Sequence, residues 1–237
     1  MGLLCDFHTH TQYSDGKLSL PELVDFYGRR GFDVLGVTDH LCEQNSLLGR
    51  AAIYLDRTLK PESFRQYMTH LEAEAERAWQ QYRMILLPGF EITKNSLKNH
   101  RSCHFLALGL DRYVSPDHSV IEAAKAIREA GGLCIAAHPI SNRKTQLGGL
   151  YLWDNREDLA GYFDAWEITD NQRILPEVAQ SKFPKLANTD FHRPSQIESW
   201  KTVLHCEKHP EAVLDAIRKQ SLSFHLYREK ASELKVA

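Results

Sequence analysis

Short apolar runs alternate along the chain with longer segments in which apolar residues recur every three or four positions. The first pattern is typical of buried β-strands and the second of amphipathic α-helices. Strands and helices that alternate in this way favour βα units with a parallel sheet. Helices are predicted over residues 19–31, 61–82, 117–129, 175–180 and 210–219, and late strands over 201–206 and 223–227.

Histidine and acidic residues mark the ends of the apolar runs. His8 and His10 stand one residue apart, so on an extended strand both side chains project from the same face. The ends of parallel strands share one rim, where so many imidazoles and carboxylates would repel or desolvate one another without cations to neutralise them. The set, which predicts a metal site, comprises His8, His10, Asp15, His40, Glu91, His104, His138, Asp190 and His192.

The order of these residues resembles the PHP family, the polymerase and histidinol phosphatase domains. The resemblance runs from residue 6 to residue 192 and rests on Asp6-Phe7-His8-Thr9-His10, Thr38-Asp39-His40, Glu91, His104, Ala137-His138-Pro139 and Asp190-Phe191-His192. It implies an α/β fold, a distorted (β/α)7 barrel of parallel strands with metal ligands at their C-terminal ends. It also implies up to three divalent metal ions and, as the usual activity, hydrolysis of a phosphoester.

The resemblance further implies how the ligands divide among the metal ions. One ion would be held by His8, His10, Glu91 and Asp190, a second by Glu91, His104 and His138, and a third by Asp15, His40 and His192. Some family members carry histidine where this chain has Asp15. Zinc, manganese and iron all accept mixed imidazole and carboxylate ligands, so the identity of the metal stays open.

The mechanism expected of such a cluster needs no serine or cysteine nucleophile. Two ions about 3.5–4 Å apart lower the pKa of a shared water, and the resulting metal-bound hydroxide can attack phosphorus in line. The residues predicted to act in catalysis are Glu91, Asp190, His192 and Arg193. Arg193 directly follows His192, so its guanidinium could fork onto phosphate oxygens. Lys94 and Arg143 are further candidate substrate contacts, since they lie in long connections at the same rim (41–60, 93–101 and 141–155).

Composition and charge narrow the expected substrate. The 237 residues are 43% hydrophobic and 25% charged, ordinary values for a globular protein, and we expect one domain over residues 1–237. The formal net charge of -2 gives no positive field for a nucleic-acid backbone. A small phosphorylated substrate is therefore favoured over a long polyanion, while a nucleotide or a short oligonucleotide stays open.

Cysteine usage and hydropathy bear on the compartment. Five cysteines without a Cys-x-x-Cys pair are expected as free thiols in a reducing cytoplasm. No apolar run approaches the ~20 residues that a membrane-spanning helix needs, so no membrane partner is expected. The sequence does not define the oligomeric state.

Three alternative functions stay open. A nuclease or nucleotide phosphodiesterase of the same family would use the same ligands. A metal-dependent amidohydrolase also begins with His-x-His on its first strand, although this sequence places no bridging lysine at a strand end. A noncatalytic metal-binding module is expected to have lost ligands, whereas this set is complete. Asp39 is expected to orient a neighbouring ligand. Glu167 and Asn171 are candidates for orienting ligands or contacting substrate, and a capping role would explain Asn171 equally well.

Overall fold

The computed structural model describes residues 2–141 and 149–229. The helices in these ranges are α1 (Leu20–Gly28), α2 (Leu47–Tyr54), α3 (Pro61–Tyr82), α4 (Val120–Glu129), α5 (Tyr151–Asp154), α6 (Arg156–Leu159), α7 (Pro176–Ala179) and α8 (Pro210–Arg218). The strands are β1 (Leu3–Asp6), β2 (Val34–Gly36), β3 (His40–Cys42), β4 (Ile85–Leu87), β5 (Gly89–Lys94), β6 (Cys103–Leu108), β7 (Leu133–Ala136), β8 (Ala165–Glu167), β9 (Thr169–Asp170), β10 (Arg173–Ile174), β11 (Lys185–Leu186), β12 (Trp200–Leu204) and β13 (Leu222–Leu226).

Local sequence explains several helix boundaries. At the start of α1, the Glu22 carboxylate accepts hydrogen bonds from the backbone N and the hydroxyl of Ser19. The prediction for α3 is confirmed at both ends. Residues 41–60, expected as a connection, instead contain β3 and α2, whose first turn is capped by the Ser46 hydroxyl accepting from Gly49 N. No helix in the described ranges is long and apolar enough to cross a membrane.

Two large sheets contain most of the strands. The five-stranded sheet has the order β13-β12-β1-β2-β4, and the six-stranded sheet has the order β11-β8-β7-β6-β5-β3, while β9 and β10 form a separate pair. Strands β1, β2 and β4 run parallel, as do β3 with β5 and β7 with β8 and β11. The fold is thus mixed α/β with parallel strands in both sheets.

The expected (β/α)7 barrel of parallel strands needs correction. The described strands form no closed sheet, and four pairs within the two large sheets are antiparallel, namely β1 with β12, β12 with β13, β5 with β6 and β6 with β7. A parallel pair needs a crossover of about a dozen residues or more. The connection from Lys94 to Cys103 is too short for that crossover, so β6 returns antiparallel to β5.

The two large sheets share a hydrophobic core. Leu3 and Cys5 of β1 belong to one buried cluster with Leu106 and Leu108 of β6, because alternate residues of a strand point to the same side. The intervening positions of β4, β6 and β7 belong to a second cluster, which also includes the apolar faces of α1, α3 and α4. Both faces of these strands are therefore buried, so a site for ligands can form only at the strand ends.

Candidate metal centre

Backbone pairing joins two histidine motifs that are distant in the sequence. Thr9, between His8 and His10, forms a parallel bridge with Phe191. The His10 amide donates to the Phe191 carbonyl at 2.8 Å, and the Phe191 amide donates to the His8 carbonyl at 3.0 Å. Because side chains alternate along extended backbone, both imidazoles lie on one side, where each Nε2 is 3.4 Å from Asp190 Oδ1.

Strand register places Glu91 between further imidazoles. In the parallel pair of β3 and β5, His40 is the partner of Glu91. In the antiparallel pair of β5 and β6, His104 is opposite Thr93, two positions beyond Glu91 and on the same face. The predicted positions at successive strand ends are therefore neighbours in space.

His138 and Asp190 enter the site through an uncommon backbone conformation. Their φ angles are 25° and 56°, whereas residues with a Cβ favour negative φ. Such a conformation costs about 1–3 kcal/mol and is found where the surrounding structure enforces it, often at functional sites. At His138 the backbone N donates to Glu167 Oε2 at 2.8 Å, which helps to hold this geometry.

Glu91 is the centre of the cluster and is completely buried. Its Oε1 lies 3.3 Å from His8 Nε2, 3.3 Å from His104 Nδ1 and 3.5 Å from His138 Nε2, and its Oε2 lies 2.5 Å from His40 Nδ1 and 3.7 Å from His10 Nε2. At the outer side, Asp15 Oδ1 is 3.5 Å from His40 Nε2 and 3.1 Å from His192 Nε2. The structure thus brings together all nine predicted metal-ligand residues.

The donor atoms of this cluster fit divalent cations. Three sets of potential ligand atoms each lie within 4.8 Å of one another: His10, Asp15, His40 and His192; His8, Glu91 and His138; and His8, His10 and Asp190. Several buried atoms have no hydrogen-bond partner in the described ranges, including both oxygens of Glu91, both ring nitrogens of His10 and His8 Nε2. Each such atom would cost about 1–3 kcal/mol if left unsatisfied. Metal ions would satisfy them, and which ion each residue binds stays a prediction.

Comparison with known proteins identifies the family to which this chain belongs. A family model described as the PHP domain matches residues 6–139, more than half of the chain. The chain belongs to the PHP domain family. No curated protein matches the sequence.

Solved structures show the fold of this PHP domain in other proteins. A Bacteroides vulgatus two-domain protein, described as containing a predicted PHP-like metal-dependent phosphoesterase, aligns with TM-score 0.69 and 20% identity, covering 96% of this chain. This chain spans 65% of the length of that protein. PsfC from Pseudomonas syringae aligns with TM-score 0.59 and 14% identity over 95% of this chain and 92% of PsfC. An amidohydrolase from Chromobacterium violaceum, described with bound sulfate and no metal, aligns with TM-score 0.53 and 15% identity over 81% of this chain and 88% of its own.

The protonation states of the clustered residues depend on their contacts with one another. Burial alone would raise the pKa of Glu91, but the imidazoles of His40 and His104 hold this pKa well below its usual range. Burial and the neighbouring His192 lower the pKa of His10 to about 3. Glu91 is therefore a carboxylate and His10 a neutral imidazole at pH 7, the forms that bind metal ions.

His40 is expected to lose a proton when the metal-free protein takes up metal. Burial would lower its pKa, but Glu91 and Asp15 raise this pKa to about 9, so a metal-free centre holds the proton at pH 7. This raised pKa stabilises the metal-free fold fully below about pH 6.5, and the contribution is lost as the pH rises through about 9. Metal ligation needs the neutral imidazole, so metal affinity should rise over the same range.

Calorimetric titration of Mn²⁺ into chelator-treated protein, in buffers of different ionisation enthalpy, counts the released protons. His40→Ala should release about one proton fewer per chain at pH 7. His100→Ala is the control, because His100 lies on the rim and contacts Asp154 instead of the cluster. An unchanged proton count in His40→Ala would show that this imidazole is not displaced by metal.

Glu167 orients two histidines of the centre, as the sequence predicted. Besides its contact with the His138 backbone, its Oε1 accepts from His8 Nδ1 at 3.0 Å and from Asn188 Nδ2 at 2.8 Å. A proton held on Nδ1 leaves the Nε2 lone pair of His8 directed at the cluster. Asn188 in turn accepts from the Phe7 backbone, so the first strand and the late part of the chain share this support.

Other supporting residues escaped sequence analysis. Thr93 Oγ1 lies 2.8 Å from His40 Nδ1, and Asn95 Oδ1 lies 3.0 Å from His104 Nε2. Thr93 shares a strand face with Glu91, and this spacing of two is the one signal that could have indicated it. Asn95 follows the end of β5, where a sequence pattern gives no direction to its side chain.

Asp39 and Asn171 support the centre indirectly. Asp39 is buried and accepts hydrogen bonds from the Thr11 hydroxyl at 2.8 Å and the Ser14 hydroxyl at 2.6 Å, which fixes the loop that leads to Asp15. Asn171 Oδ1 accepts from Gln196 Nε2 at 2.6 Å, and Gln196 Oε1 accepts from the His192 amide at 2.8 Å. Both residues therefore hold the backbone next to predicted ligand residues.

A buried ion pair lies beside the centre. Lys201 on β12 is completely buried, and its Nζ is 3.1 Å from Asp6 Oδ2 at the end of β1. The same carboxylate accepts from the Tyr27 hydroxyl at 2.9 Å and from the Thr189 amide at 3.0 Å. Asp6 therefore supports the backbone next to Asp190, and no sequence pattern had pointed to Lys201 as its partner.

Two of the three predicted substrate contacts, Lys94 and Arg193, do not line the cavity at the cluster. A cavity of about 220 Å³ opens over the cluster and is lined by Asp15, His40, His104, His138, Asp190 and His192. Lys94 Nζ instead donates to the Pro116 carbonyl at 2.6 Å and contacts Glu43, so it lies against the adjacent loop and does not line the cavity. Arg193 is exposed and also outside the lining, so its role stays a prediction. Arg143 lies outside the described residues.

Proposed function

We propose that this PHP domain hydrolyses a phosphate ester on a small molecule with the help of divalent metal ions. The observation that carries the proposal is the environment of Glu91, a buried carboxylate within 3.7 Å of five imidazoles and with neither oxygen hydrogen-bonded in the described part of the chain. The description of the Bacteroides vulgatus neighbour, which names a predicted PHP-like metal-dependent phosphoesterase, supports the same activity.

The cluster residues would hold two or three ions. Bound divalent cations supply Lewis acidity, which lowers the pKa of water and neutralises phosphate oxygens. Glu91 would offset the repulsion between neighbouring cations, and Glu167 would keep His8 aimed at them. Asp190 and His192 line the cavity and are the residues best placed to contact both metal and substrate.

The cavity and the charge favour a small substrate. A volume of about 220 Å³ accommodates a phosphate group with a limited part of its ester, and the net charge of -2 offers no extended surface for a polyanion. No lysine lines the cavity among the residues that the structure describes, which supports a phosphoesterase over an amidohydrolase. We also propose a cytoplasmic location, supported by five free cysteines, four of them buried.

Substrate assays on the purified protein test the proposal. p-Nitrophenyl phosphate, its bis-ester and a dihydroorotate-like cyclic amide represent a phosphomonoesterase, a phosphodiesterase and an amidohydrolase. The monoester is expected to be hydrolysed fastest, and activity should vanish with chelator and return with metal. Turnover of the amide alone, or of none of the three by metal-loaded protein, would contradict the proposal.

The purified protein is expected to contain more than one equivalent of transition metal per chain. The physical reason is the number of ligand atoms, since three sets of three or four potential ligand atoms each lie within 4.8 Å of one another. Elemental analysis of protein prepared without chelator measures the content and identifies the metal. Protein that is free of metal and cannot be reloaded would contradict both the site and the function.

A further inference from the structure

Arg57 lies at the opening of the cavity that contains the metal centre. It follows α2 and lines the same cavity as Asp15, His40 and His192. Of the described residues that line this cavity, Arg57 is the one lysine or arginine. Its guanidinium makes no hydrogen bond or ion pair with any residue that the structure describes, and its side chain is exposed. A cation is thus available where an anionic substrate would enter.

The backbone around Arg57 is tied to a metal-binding strand. The Arg57 amide donates to the Ala52 carbonyl at 3.0 Å, which holds the turn that follows α2 against that helix. The next residue, Thr58, donates its hydroxyl to the His40 carbonyl at 3.0 Å and accepts from the Cys42 amide at 2.8 Å. Arg57 therefore has a defined position relative to β3, although its side chain reaches solvent.

We propose that Arg57 binds the nonbridging oxygens of the substrate's phosphate group as the substrate enters the cavity. This inference rests on the proposed function and assigns its substrate contact. A guanidinium offers paired N–H donors that match two phosphate oxygens. Because Arg57 stands at the solvent side of the cavity, it contacts the phosphate in the ground state and the transition state alike, which affects KM more than kcat.

Chemical modification tests this contact without any turnover. Phenylglyoxal reacts with accessible guanidinium groups, and peptide mapping by mass spectrometry measures each arginine in the metal-loaded protein. Inorganic phosphate at about ten times its Kd should slow modification of Arg57 by about tenfold. Arg50 is the matched control, since it is exposed on α2, the helix that precedes Arg57, but does not line the cavity. Equal rates at Arg57 with and without phosphate would overturn the proposal.

Steady-state kinetics give a second, independent measurement. Arg57→Ala should raise KM for p-nitrophenyl phosphate by about tenfold with little change in kcat, and Arg57→Lys should recover part of this loss. Arg50→Ala removes the same charge from the neighbouring helix α2 and should leave KM unchanged. An equal rise of KM in both variants would show that any positive charge near α2 attracts the substrate, and it would overturn the proposed contact with Arg57.

The two measurements separate this inference from the proposed function. Phosphate protection of Arg57 in a protein that hydrolyses no phosphate ester would refute the function and support the anion contact. Turnover of the monoester with no protection and an unchanged KM in Arg57→Ala would support the function and refute the contact.

Discussion

Replacing Glu91 with glutamine is expected to lower kcat/KM for a phosphate monoester by about 10³-fold or more and to reduce metal content in parallel. The carboxylate lies at 2.5–3.7 Å from five imidazoles, so its charge is shared by the whole cluster. An amide keeps the shape but removes the charge that offsets repulsion between cations. Kinetics and elemental analysis on the same preparation measure both effects.

Two further variants test whether the loss of activity and metal is specific to Glu91. Asp15→Asn should be milder, because Asp15 contacts His40 and His192 at the outer side of the cluster. Glu43→Gln removes a carboxylate that contacts Lys94 and does not line the cavity, and it should behave as wild type. Full activity and full metal content in Glu91→Gln would show that this residue does not hold the centre together.

Replacing Lys201 with methionine is expected to destabilise the metal-loaded protein by about 3–5 kcal/mol. Methionine preserves much of the side-chain volume, but Asp6 then keeps a buried carboxylate without its cation. A charge left alone in a buried position is costly even when neutral donors such as the Tyr27 hydroxyl remain. Chemical denaturation followed by circular dichroism measures the free energy of unfolding.

A double variant and a surface pair serve as controls for Lys201. Asp6→Asn combined with Lys201→Met should be more stable than Lys201→Met alone, because no unpaired charge remains. Lys208 pairs with Asp33 in a partly exposed position, so Lys208→Met should cost about 1 kcal/mol or less. Similar losses at Lys201 and Lys208 would mean that the buried pair contributes no more than a surface pair.

The residues that the structure gathers in the cluster were predictable from sequence because most of them lie at or shortly after the end of an apolar run. His40 and Glu91 are adjacent through strand register, and His8 and His10 through a spacing of two. Their assignment to individual ions was not predictable, since His10 lies among the outer ligands as well as beside Asp190. The side-chain rotamer of each residue decides which neighbouring ligands it faces, and the spacing of residues in the sequence does not specify that rotamer.

Strand direction and the buried ion pair could not be predicted from the sequence. Alternation of strands and helices suggested parallel pairing throughout, yet β12 runs antiparallel to β1 and β6 antiparallel to its neighbours. Lys201 resembles an ordinary strand lysine until Asp6 is seen opposite to it. Arg57 belongs to no sequence motif. It lines the cavity because of the way residues 41–60 fold, which the sequence pattern did not predict.

The pairing of Thr9 with Phe191 has a consequence for biosynthesis. The support of the first strand likewise comes from far along the chain, for example from Thr189, 183 positions after Asp6. Chains are made from the N-terminus, so His8 and His10 leave the ribosome long before Asp190 and His192 exist. A nascent polypeptide therefore cannot complete the residue cluster before residue 192 has been made, and tight metal retention would report that the segments around Thr9 and Phe191 have paired.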